Sequence, residues 1–375
     1  MTMWSQSLKF SGAELWRWAG GQPWSAAMRT CLQDAEWHAE GDVWTHTGLV
    51  YMQLEGLAGW NELPVDDQFK LRLTALFHDS GKPETTAPDP VTGRLRSLRH
   101  SLAGLHIARG ALRELGAPLE FREAVCALVR YHGRPPFLLE KSDPAREVIE
   151  LSTLLSNRLL YMFTLADFRG RDTDAVTRAE DDLHLWKLAA EEQGCFDRPF
   201  PFANDHARFL FHRGELTSLH YTPWEKFSCT ATLMAGLPGA GKDTWLGRNR
   251  PSLPVLALDD MREELDVRPD ANQGAVIQAA QARAREFLRA GRNFAFNATN
   301  TTQQTRRKWI SLFHDYGART EIVYVEPPLA QILRQNKQRS DRARVPEQVI
   351  LRLLKNLEPP TRDEAHAVTL VGTDT

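Results

Sequence analysis

The sequence predicts two folded parts: an all-α domain followed by an α/β domain built on a parallel sheet. From Trp24 to Glu192, apolar residues recur at three- and four-residue spacing, which is the pattern of amphipathic helices. After Phe227, short β-leaning runs alternate with helical segments, as in parallel strands joined by crossover helices. We therefore place the helical domain at residues 1–195, an ordered, phenylalanine-rich connector at 196–226 and the α/β domain at 227–375.

The helical part is predicted to contain a series of helices and one extended interruption. The helices are expected at Trp44–Leu57, Asp67–Phe77, His100–Leu115, Phe121–Arg130 and Ala145–Phe163. The interruption is Glu84–Leu98, where the run Pro88-Asp-Pro-Val-Thr-Gly93 is rich in turn residues. This composition predicts a turn or a hairpin.

In the α/β part, strands are expected at Phe227–Met234, Val255–Leu258, Asn293–Asn297, Thr320–Val325 and Ala367–Val371. Helices are expected at Gly274–Ala290 and Thr302–Tyr316. For the second of these helices, Thr301 and Gln304 form a capping box pattern and Gly317 a C-terminal cap pattern.

Composition limits the classes of protein that fit. The chain has 375 residues, 42% apolar and 25% charged, with a formal net charge of −2, so a nucleic acid would need local basic patches. Its four cysteines lie far apart, which disfavours a disulfide framework or a zinc finger. The start lacks a signal-peptide pattern, and no apolar run approaches the ~20 residues of a membrane span. We therefore expect a cytoplasmic protein without a membrane contact.

A glycine-rich loop follows the first predicted strand of the α/β part. Glycines let the backbone turn tightly, and the amides at the start of the next helix then favour an anion. The loop predicts binding of ATP or another nucleoside triphosphate with Mg²⁺. Its nucleotide-binding residues are Gly236, Pro238, Gly239, Ala240, Gly241, Lys242, Asp243 and Thr244. Asp243 stands where such loops usually carry Ser or Thr, so either Asp243 or Thr244 is the candidate for holding the magnesium.

The second predicted strand runs into Asp259-Asp-Met-Arg262, at the edge of the sheet where ligands bind in open α/β folds. A carboxylate at this edge can accept a proton from an attacking hydroxyl, and an arginine can grip a substrate phosphate. The alternative is a helix cap followed by an exposed charge.

With the glycine-rich loop, this motif resembles the 5′-hydroxyl polynucleotide kinases of phage and bacterial RNA repair. The resemblance implies transfer of the γ-phosphate of ATP to a 5′-OH end, with Lys242 among the catalytic residues, Asp259 as general base and Arg262 on the acceptor phosphate. Asn297-Ala-Thr299-Asn300 resembles the family's substrate-holding element, although Ala298 stands where the family often has an acidic residue. Gln335–Pro346 resembles the lid over the phosphate donor, with Arg339 matching the arginine that neutralises the transferring phosphate. Arg334, Arg342 and Arg344 alternatively form a solvated helix face.

Histidines and aspartates recur through the helical part. In chain order they are His46, His78, Asp79, His100, His132 and Asp167. Imidazoles with carboxylates bind manganese, iron, nickel or zinc and can activate water against a phosphoester. The alternative is a helical domain whose histidines pack in the core or lie at the surface.

The order of these residues resembles the HD phosphohydrolase superfamily, with a local texture close to the HD domains of CCA-adding enzymes. The resemblance implies that His46, His78, Asp79 and Asp167 form one metal site and that His100 and His132 hold a second. It also implies that Lys82 contacts the substrate phosphate, with assistance from Arg134, Arg169 or Arg171. His38 and His106 do not fit the array and are expected to be structural.

Together the two parts resemble the bacterial HD-domain polynucleotide kinases, bifunctional enzymes that heal nucleic-acid ends. This resemblance implies an HD-type helical domain joined to a P-loop kinase. The implied substrates are RNA or DNA ends that carry a 5′-OH and a 2′,3′-cyclic or 3′-phosphate. A ligase would act afterwards, and Mn²⁺ or a similar metal would serve the HD domain.

Two other interpretations stay open at the level of sequence. One is an HD nucleotidase fused to a nucleoside or small-molecule kinase of nucleotide metabolism. The other is an ATP-gated regulator whose HD fold only binds a nucleotide signal. Competition between nucleosides and 5′-OH oligonucleotides, and phosphate release with manganese, would separate the three.

Overall fold

The computed structural model describes Trp4, Gln6 and residues 10–172, 176–268, 271–339 and 344–372, with the backbone alone for residues 176–179. The chain forms two compact units, Met1–Pro201 and Phe202–Thr375. The first is helical and the second is α/β, which confirms the predicted fold class. None of the helices among the described residues is both long enough and apolar enough to cross a membrane.

The first unit is built from ten helices in the part of the chain that the structure describes, several of which share an apolar core. They are α1 (Gly12–Gly20), α2 (Pro23–Arg29), α3 (Val43–Gln53), α4 (Val65–Phe77), α5 (Lys82–Thr85), α6 (His100–Leu115), α7 (Leu119–Tyr131), α8 (Pro144–Ser152), α9 (Asn157–Arg169) and α10 (Val176–Glu192), with 3₁₀ turns at Leu54–Gly56, Trp60–Glu62 and Pro135–Glu140. The core contains Leu73, Phe77, Leu112 and Val129, all fully buried. Because α4 contributes its apolar face to this core, the residues at its end are held rigidly.

The predicted interruption is an antiparallel hairpin, with β1 (Thr86–Pro88) paired to β2 (Leu95–Ser97). Asp89 fixes its turn, because the Asp89 carboxylate accepts hydrogen bonds from the backbone amides of Val91 and Thr92.

The prediction of one continuous helix over Ala145–Phe163 is wrong, since α8 ends at Ser152 and α9 begins at Asn157. Ser156 caps α9 through the amide of Leu159. The buried Asn157 amide donates to the carbonyls of Val148 and Cys195. Both helices bury apolar residues, so the sequence periodicity continues across a break that tertiary hydrogen bonds create.

The second unit contains a five-stranded parallel sheet in the order β4-β5-β3-β6-β7. Its strands are β3 (Thr230–Ala235), β4 (Val255–Ala257), β5 (Phe294–Asn297), β6 (Arg319–Val325) and β7 (Ala367–Val371). Its helices are α11 (Asp205–Arg213), α12 (Lys242–Asn249), α13 (Leu258–Glu264), α14 (Gly274–Arg289), α15 (Gln303–Asp315), α16 (Leu329–Lys337) and α17 (Glu347–Lys355). Met234 at the end of β3 is level with Asn297 of β5 and Val323 of β6, so the loops that leave these strands share one edge.

For α15, the predicted C-terminal cap agrees with the structure and the predicted N-cap does not. Gly317 follows the helix with φ 75°, and the amide of Ala318 donates to Phe313, as in a glycine C-terminal cap. The N-cap, however, is Thr302, whose hydroxyl accepts from the amide of Thr305. Thr301 is buried instead, and its carbonyl accepts from the amide of Glu358. A tertiary contact therefore moved the cap by one residue.

Part of the predicted connector belongs to the second unit, where α11 packs on the sheet. Phe209 of α11 stacks on the fully buried His366, with ring centroids 4.2 Å apart. His366 Nδ1 accepts from the amide of Thr320, so its Nε2 carries the proton and faces His206 Nδ1 at 3.0 Å. Burial lowers the pKa of His366 to about 3. The predicted boundaries at residues 195 and 227 stay predictions.

Candidate functional site

Six predicted metal ligands from five elements of the first unit converge. His46 lies on α3, Asp167 on α9 and His100 at the first position of α6, while His78-Asp79 and His132 directly follow α4 and α7. Five of the six residues are buried, and His100 is partly exposed. The cluster thus lies inside the helical unit with one ligand open to solvent.

Backbone carbonyls orient three of the imidazoles. The Nδ1 atoms of His78, His100 and His132 each lie 2.8 Å from a carbonyl oxygen, of Ala75, Ser97 and Val129 respectively. A carbonyl only accepts, so each Nδ1 carries a proton and each neutral ring presents the Nε2 lone pair inward. Burial lowers the pKa of His100 and that of His132, the latter to about 3, which keeps both rings neutral.

On one side of the cluster, three acceptor atoms face one another. His100 Nε2 lies 3.3 Å from His132 Nε2 and 3.4 Å from Asp79 Oδ1, and His132 Nε2 lies 4.0 Å from the same oxygen. Lone pairs at these distances repel unless a cation lies among them. Two nitrogens and one oxygen at this spacing fit a divalent metal with bonds of about 2.0–2.2 Å.

On the other side, His46 Nε2 lies 3.0 Å from Asp167 Oδ1, and His78 Nε2 lies 3.3 Å from Asp79 Oδ2 and 3.8 Å from Asp167 Oδ1. His78 Nε2 is a buried atom without a hydrogen-bond partner, as expected for a lone pair kept for a metal. Asp79 therefore offers one oxygen to each side, and the donor set fits cations at both.

Two basic side chains balance the buried carboxylates. Lys82 Nζ lies 2.7 Å from Asp79 Oδ2, and Arg171 Nη2 lies 2.6 Å from Asp167 Oδ2. Burial opposes ionisation, but Lys82 and His78 outweigh it and hold the pKa of Asp79 well below its usual value. Arg171 acts on the pKa of Asp167 in the same direction.

Of the other two arginines considered, Arg134 pairs with Glu147 and Arg169 with Glu180. Arg171 is thus the member of that group that contacts a predicted ligand.

Sequence reasoning missed the loop before α3. Glu40 Oε1 lies 2.7 Å from His38 Nδ1 and 2.9 Å from His46 Nδ1. Lys82 Nζ donates to Gln33 Oε1 and lies 3.5 Å from His38 Nε2. The signal in the sequence was an acidic residue shortly before the helix that carries His46. The spacing of metal-ligand motifs does not single out such a residue.

The glycine-rich loop joins β3 to α12 in the second unit. Gly236, Gly239 and Gly241 all have positive φ angles, of 139°, 79° and 95°. A Cβ on Gly236 would lie 2.4 Å from the carbonyl oxygen of Val325, so the loop lies directly against β6. Lys242 begins α12, and its amide lies at the positive end of the helix.

The ammonium of Lys242 lies within this loop. Its Nζ donates to the carbonyls of Gly236 and Leu237, at 3.0 and 3.1 Å. Burial lowers the pKa of Lys242 to about 8. An anion in the loop would replace these carbonyls as the partner of a full positive charge.

Asp243 and Thr244, the two candidates for holding magnesium, are both exposed in the first turn of α12. Asn297, at the end of β5, donates from its side-chain amide to the Asp243 carboxylate. Asn297 Oδ1 is buried without a hydrogen-bond partner. This hydrogen bond therefore holds the Asp243 carboxylate in one orientation beside the glycine-rich loop.

The predicted acceptor side lies on α13. Arg262 Nη1 donates to Asp259 Oδ1, and Arg262 Nε donates to Gln273 at 2.7 Å. Arg339 Nη2 lies 3.9 Å from Asp259 Oδ2. The Asp259 side chain is 74% exposed and so is accessible to a substrate hydroxyl.

The two residues predicted to hold substrate differ in environment. Thr299 is partly exposed, and its carbonyl accepts from the amide of Gly236. Asn300 is buried, and its side-chain amide donates to the carbonyl of Met234. Both support the glycine-rich loop, and their contact with substrate stays a prediction.

The predicted lid is only partly described, since residues 340–343, which include Arg342, lie outside the described residues. Asn336 joins the flanks of that gap, because its amide donates to the carbonyl of Val345 and its Oδ1 accepts from the Val345 amide. Arg344 donates to the carbonyls of Lys337 and Arg339.

Comparisons with known proteins match a segment in each of the two units. Residues 43–154 match the HD domain family, and residues 232–360 match the family described as AAA domain. The chain therefore joins an HD domain to a P-loop kinase-like domain.

A CC-adding tRNA nucleotidyltransferase of Thermus thermophilus is 45% identical over 89 residues, 24% of this chain and 19% of that protein. The chain thus spans about a fifth of that relative's length. A sugar kinase structure from Janibacter sp. HTCC2649 aligns with a TM-score of 0.31 and 14% identity, covering 38% of this chain and 85% of the other.

Proposed function

We propose that this chain heals broken nucleic-acid ends. The α/β unit would phosphorylate 5′-OH ends with ATP, and the helical unit would remove 2′,3′-cyclic phosphates and 2′- or 3′-phosphates. The observation that carries this proposal is that one chain holds two side-chain clusters suited to phosphate chemistry, the converging Nε2 atoms in the first unit and the Lys242 loop with Asp259 in the second.

For phosphoryl transfer, Lys242 and the loop amides would hold the triphosphate. Asp259 would accept the proton of the 5′-hydroxyl. The oxygen of that hydroxyl would then attack the γ-phosphorus of ATP, and ADP would leave. Arg262 would hold Asp259 in place and grip the acceptor phosphate. Arg339, close to the same carboxylate, would neutralise charge on the transferring group. Mg²⁺ would be held by Asp243, fixed by Asn297, or by Thr244.

For phosphate removal, a divalent metal such as Mn²⁺ would polarise a phosphoryl oxygen and lower the pKa of water. One metal position would be held by His46, His78 and Asp167, and a second by His100 and His132. Asp79 would offer one oxygen to each position. Lys82 would contact the substrate phosphate from its position against Asp79. A strand end would enter from the side of His100, because this ligand is partly exposed.

A nucleic-acid substrate is favoured over a free nucleotide by one comparison. Similarity to a protein named as a CC-adding tRNA nucleotidyltransferase supports an RNA substrate for this chain. RNA is therefore the first substrate to test, with DNA as the comparison.

The test uses one RNA that carries a 5′-OH and a 2′,3′-cyclic phosphate, with ATP, Mg²⁺ and Mn²⁺. We expect 5′-phosphorylation that needs ATP and Mg²⁺, and release of phosphate from the 3′ end that needs Mn²⁺ but not ATP. Phosphorylation of free nucleosides in preference to the RNA would refute the polynucleotide assignment. Absence of phosphate release with every transition metal would refute the hydrolytic one.

A further inference from the structure

We propose that Glu40 is a positioning residue that fixes the ring of His46 so that its Nε2 atom is the metal-binding nitrogen. This inference rests on the metal centre of the proposed function. It concerns a residue outside the six predicted ligands, on the loop between α2 and α3.

The contacts of Glu40 require donors around it. Its side chain is 3% exposed, and Oε1 lies 2.7 Å from His38 Nδ1 and 2.9 Å from His46 Nδ1. Its Oε2 accepts from the amide of Asp172 at 3.1 Å. The Glu40 oxygens only accept, so when Nε2 of His46 binds a metal, the ring proton lies on Nδ1, 2.9 Å from Glu40 Oε1.

That proton decides which nitrogen of His46 can bind metal. With Nδ1 protonated, the metal-binding lone pair of the ring is on Nε2, which lies 3.0 Å from Asp167 Oδ1. His78, His100 and His132 obtain the same arrangement from backbone carbonyls. Among the four histidines of the cluster, His46 alone has a carboxylate in that role, and a carboxylate also raises the basicity of the ring.

The backbone holds Glu40 in place. Asp42 caps α3 by accepting from the amides of Trp44 and Thr45, which fixes the loop relative to His46 one turn later. The amide of Val43 donates to the carbonyl of Cys31, which closes the base of the loop. Glu40 is therefore placed by the same turn that starts the helix of His46.

A metal bound directly by Glu40 fits these distances less well. Ligand atoms around a cation with bonds of about 2.1 Å lie about 3 Å or more apart, whereas Glu40 Oε1 lies only 2.7 Å from His38 Nδ1. On its far side, the ring of His38 faces the Lys82 ammonium at 3.5 Å, which is a donor and not a metal position. Hydrogen bonds with His38 and from the Asp172 amide already fix the Glu40 carboxylate beside His46.

The test measures Mn²⁺ binding to the full chain by equilibrium dialysis with metal analysis. Glu40→Ala should weaken Mn²⁺ affinity by about 10- to 100-fold, the usual cost of losing the partner of a metal-bound histidine. Glu40→Gln keeps an acceptor oxygen without the charge, so it should lose less, and it tests the role if the alanine variant fails to fold. Glu36→Gln is the matched control, because Glu36 lies on the same loop, exposed and paired with Arg94, and should bind like wild type.

A second readout separates positioning from general stability. In Zn²⁺-loaded protein, imidazole ¹⁵N resonances should assign the proton of His46 to Nδ1, and Glu40→Ala should lose this single tautomer. Equal Mn²⁺ affinity in Glu40→Ala and wild type would overturn the inference. So would loss of one metal equivalent at saturating Mn²⁺ in both Glu40 variants, since Glu40 would then be a ligand. If the wild-type chain bound no divalent metal, the proposed function itself would fail instead.

Discussion

Replacing Gly236 by alanine is the sharpest test of the glycine-rich loop. Gly236 has φ 139°, a backbone conformation that only glycine adopts readily, and strain of this kind costs about 1–3 kcal/mol. The new Cβ would lie 2.4 Å from the carbonyl oxygen of Val325, which belongs to the backbone of β6 and cannot rotate away. Overpacking of this kind costs about 1–3 kcal/mol more. We therefore expect the α/β unit to lose about 2–6 kcal/mol of stability.

The loop should also lose its ligand. The carbonyl of Gly236 is a partner of Lys242 Nζ, and displacing it moves the anion-binding amides. A loss of about 1.4 kcal/mol in binding free energy lowers the affinity tenfold. Since the expected strain exceeds this value, we expect ATP to bind at least about tenfold more weakly. The stability is measured by urea denaturation, with proteolysis of the α/β unit reporting the unfolded fraction. ATP binding is measured by calorimetry.

Gly247→Ala is the matched control. Gly247 lies inside α12, and a Cβ built there meets nothing within 4 Å. The same substitution should therefore stabilise the unit, by about 0.5–1 kcal/mol. If Gly236→Ala unfolded at the wild-type urea concentration and bound ATP normally, the packing of the loop against β6 would be wrong.

Three further predictions follow from the two sites and the buried histidine. Asp259→Ala should abolish 5′-phosphorylation and spare phosphate release, and Asp79→Ala should do the reverse; loss of both activities in either variant would contradict independent sites. Burial lowers the pKa of Lys242 to about 8, so above that pH a proton must be taken up to bind ATP, and calorimetry should show affinity falling about tenfold per pH unit. A constant affinity from pH 7 to about 9.5 would refute this. His366 has a folded pKa of about 3 against 6.5 unfolded, so its share of stability is complete above pH 6.5 and is lost as pH falls toward 3; urea midpoints should drop over that range, and less so in His366→Phe.

Much of the fold and many of the candidate residues followed from the sequence. Strands β5 and β7, the hairpin and helix α6 lie within a residue or so of their predicted positions. These elements depend on local patterns, namely apolar periodicity, turn residues and glycines after a strand, and local patterns are what a sequence displays. The histidines and aspartates could be named from their order along the chain, which resembles that of the HD superfamily.

The sequence could not predict the partners of those residues. Glu40 beside His46, Asn297 on Asp243 and Gln273 on Arg262 are contacts between side chains that different elements or loops supply. The break before α9 depends in the same way on a hydrogen bond from Asn157 to a distant carbonyl.

The sequence by itself determined which chemical groups the chain carries and which kind of element carries each of them, because propensity and periodicity act over a few residues. Only the tertiary structure decided that two imidazole lone pairs meet at 3.3 Å beside a buried carboxylate, and that an unpredicted glutamate faces a third ring. Such distances result from the packing of whole helices, whose positions depend on the entire core and are not encoded in any single segment.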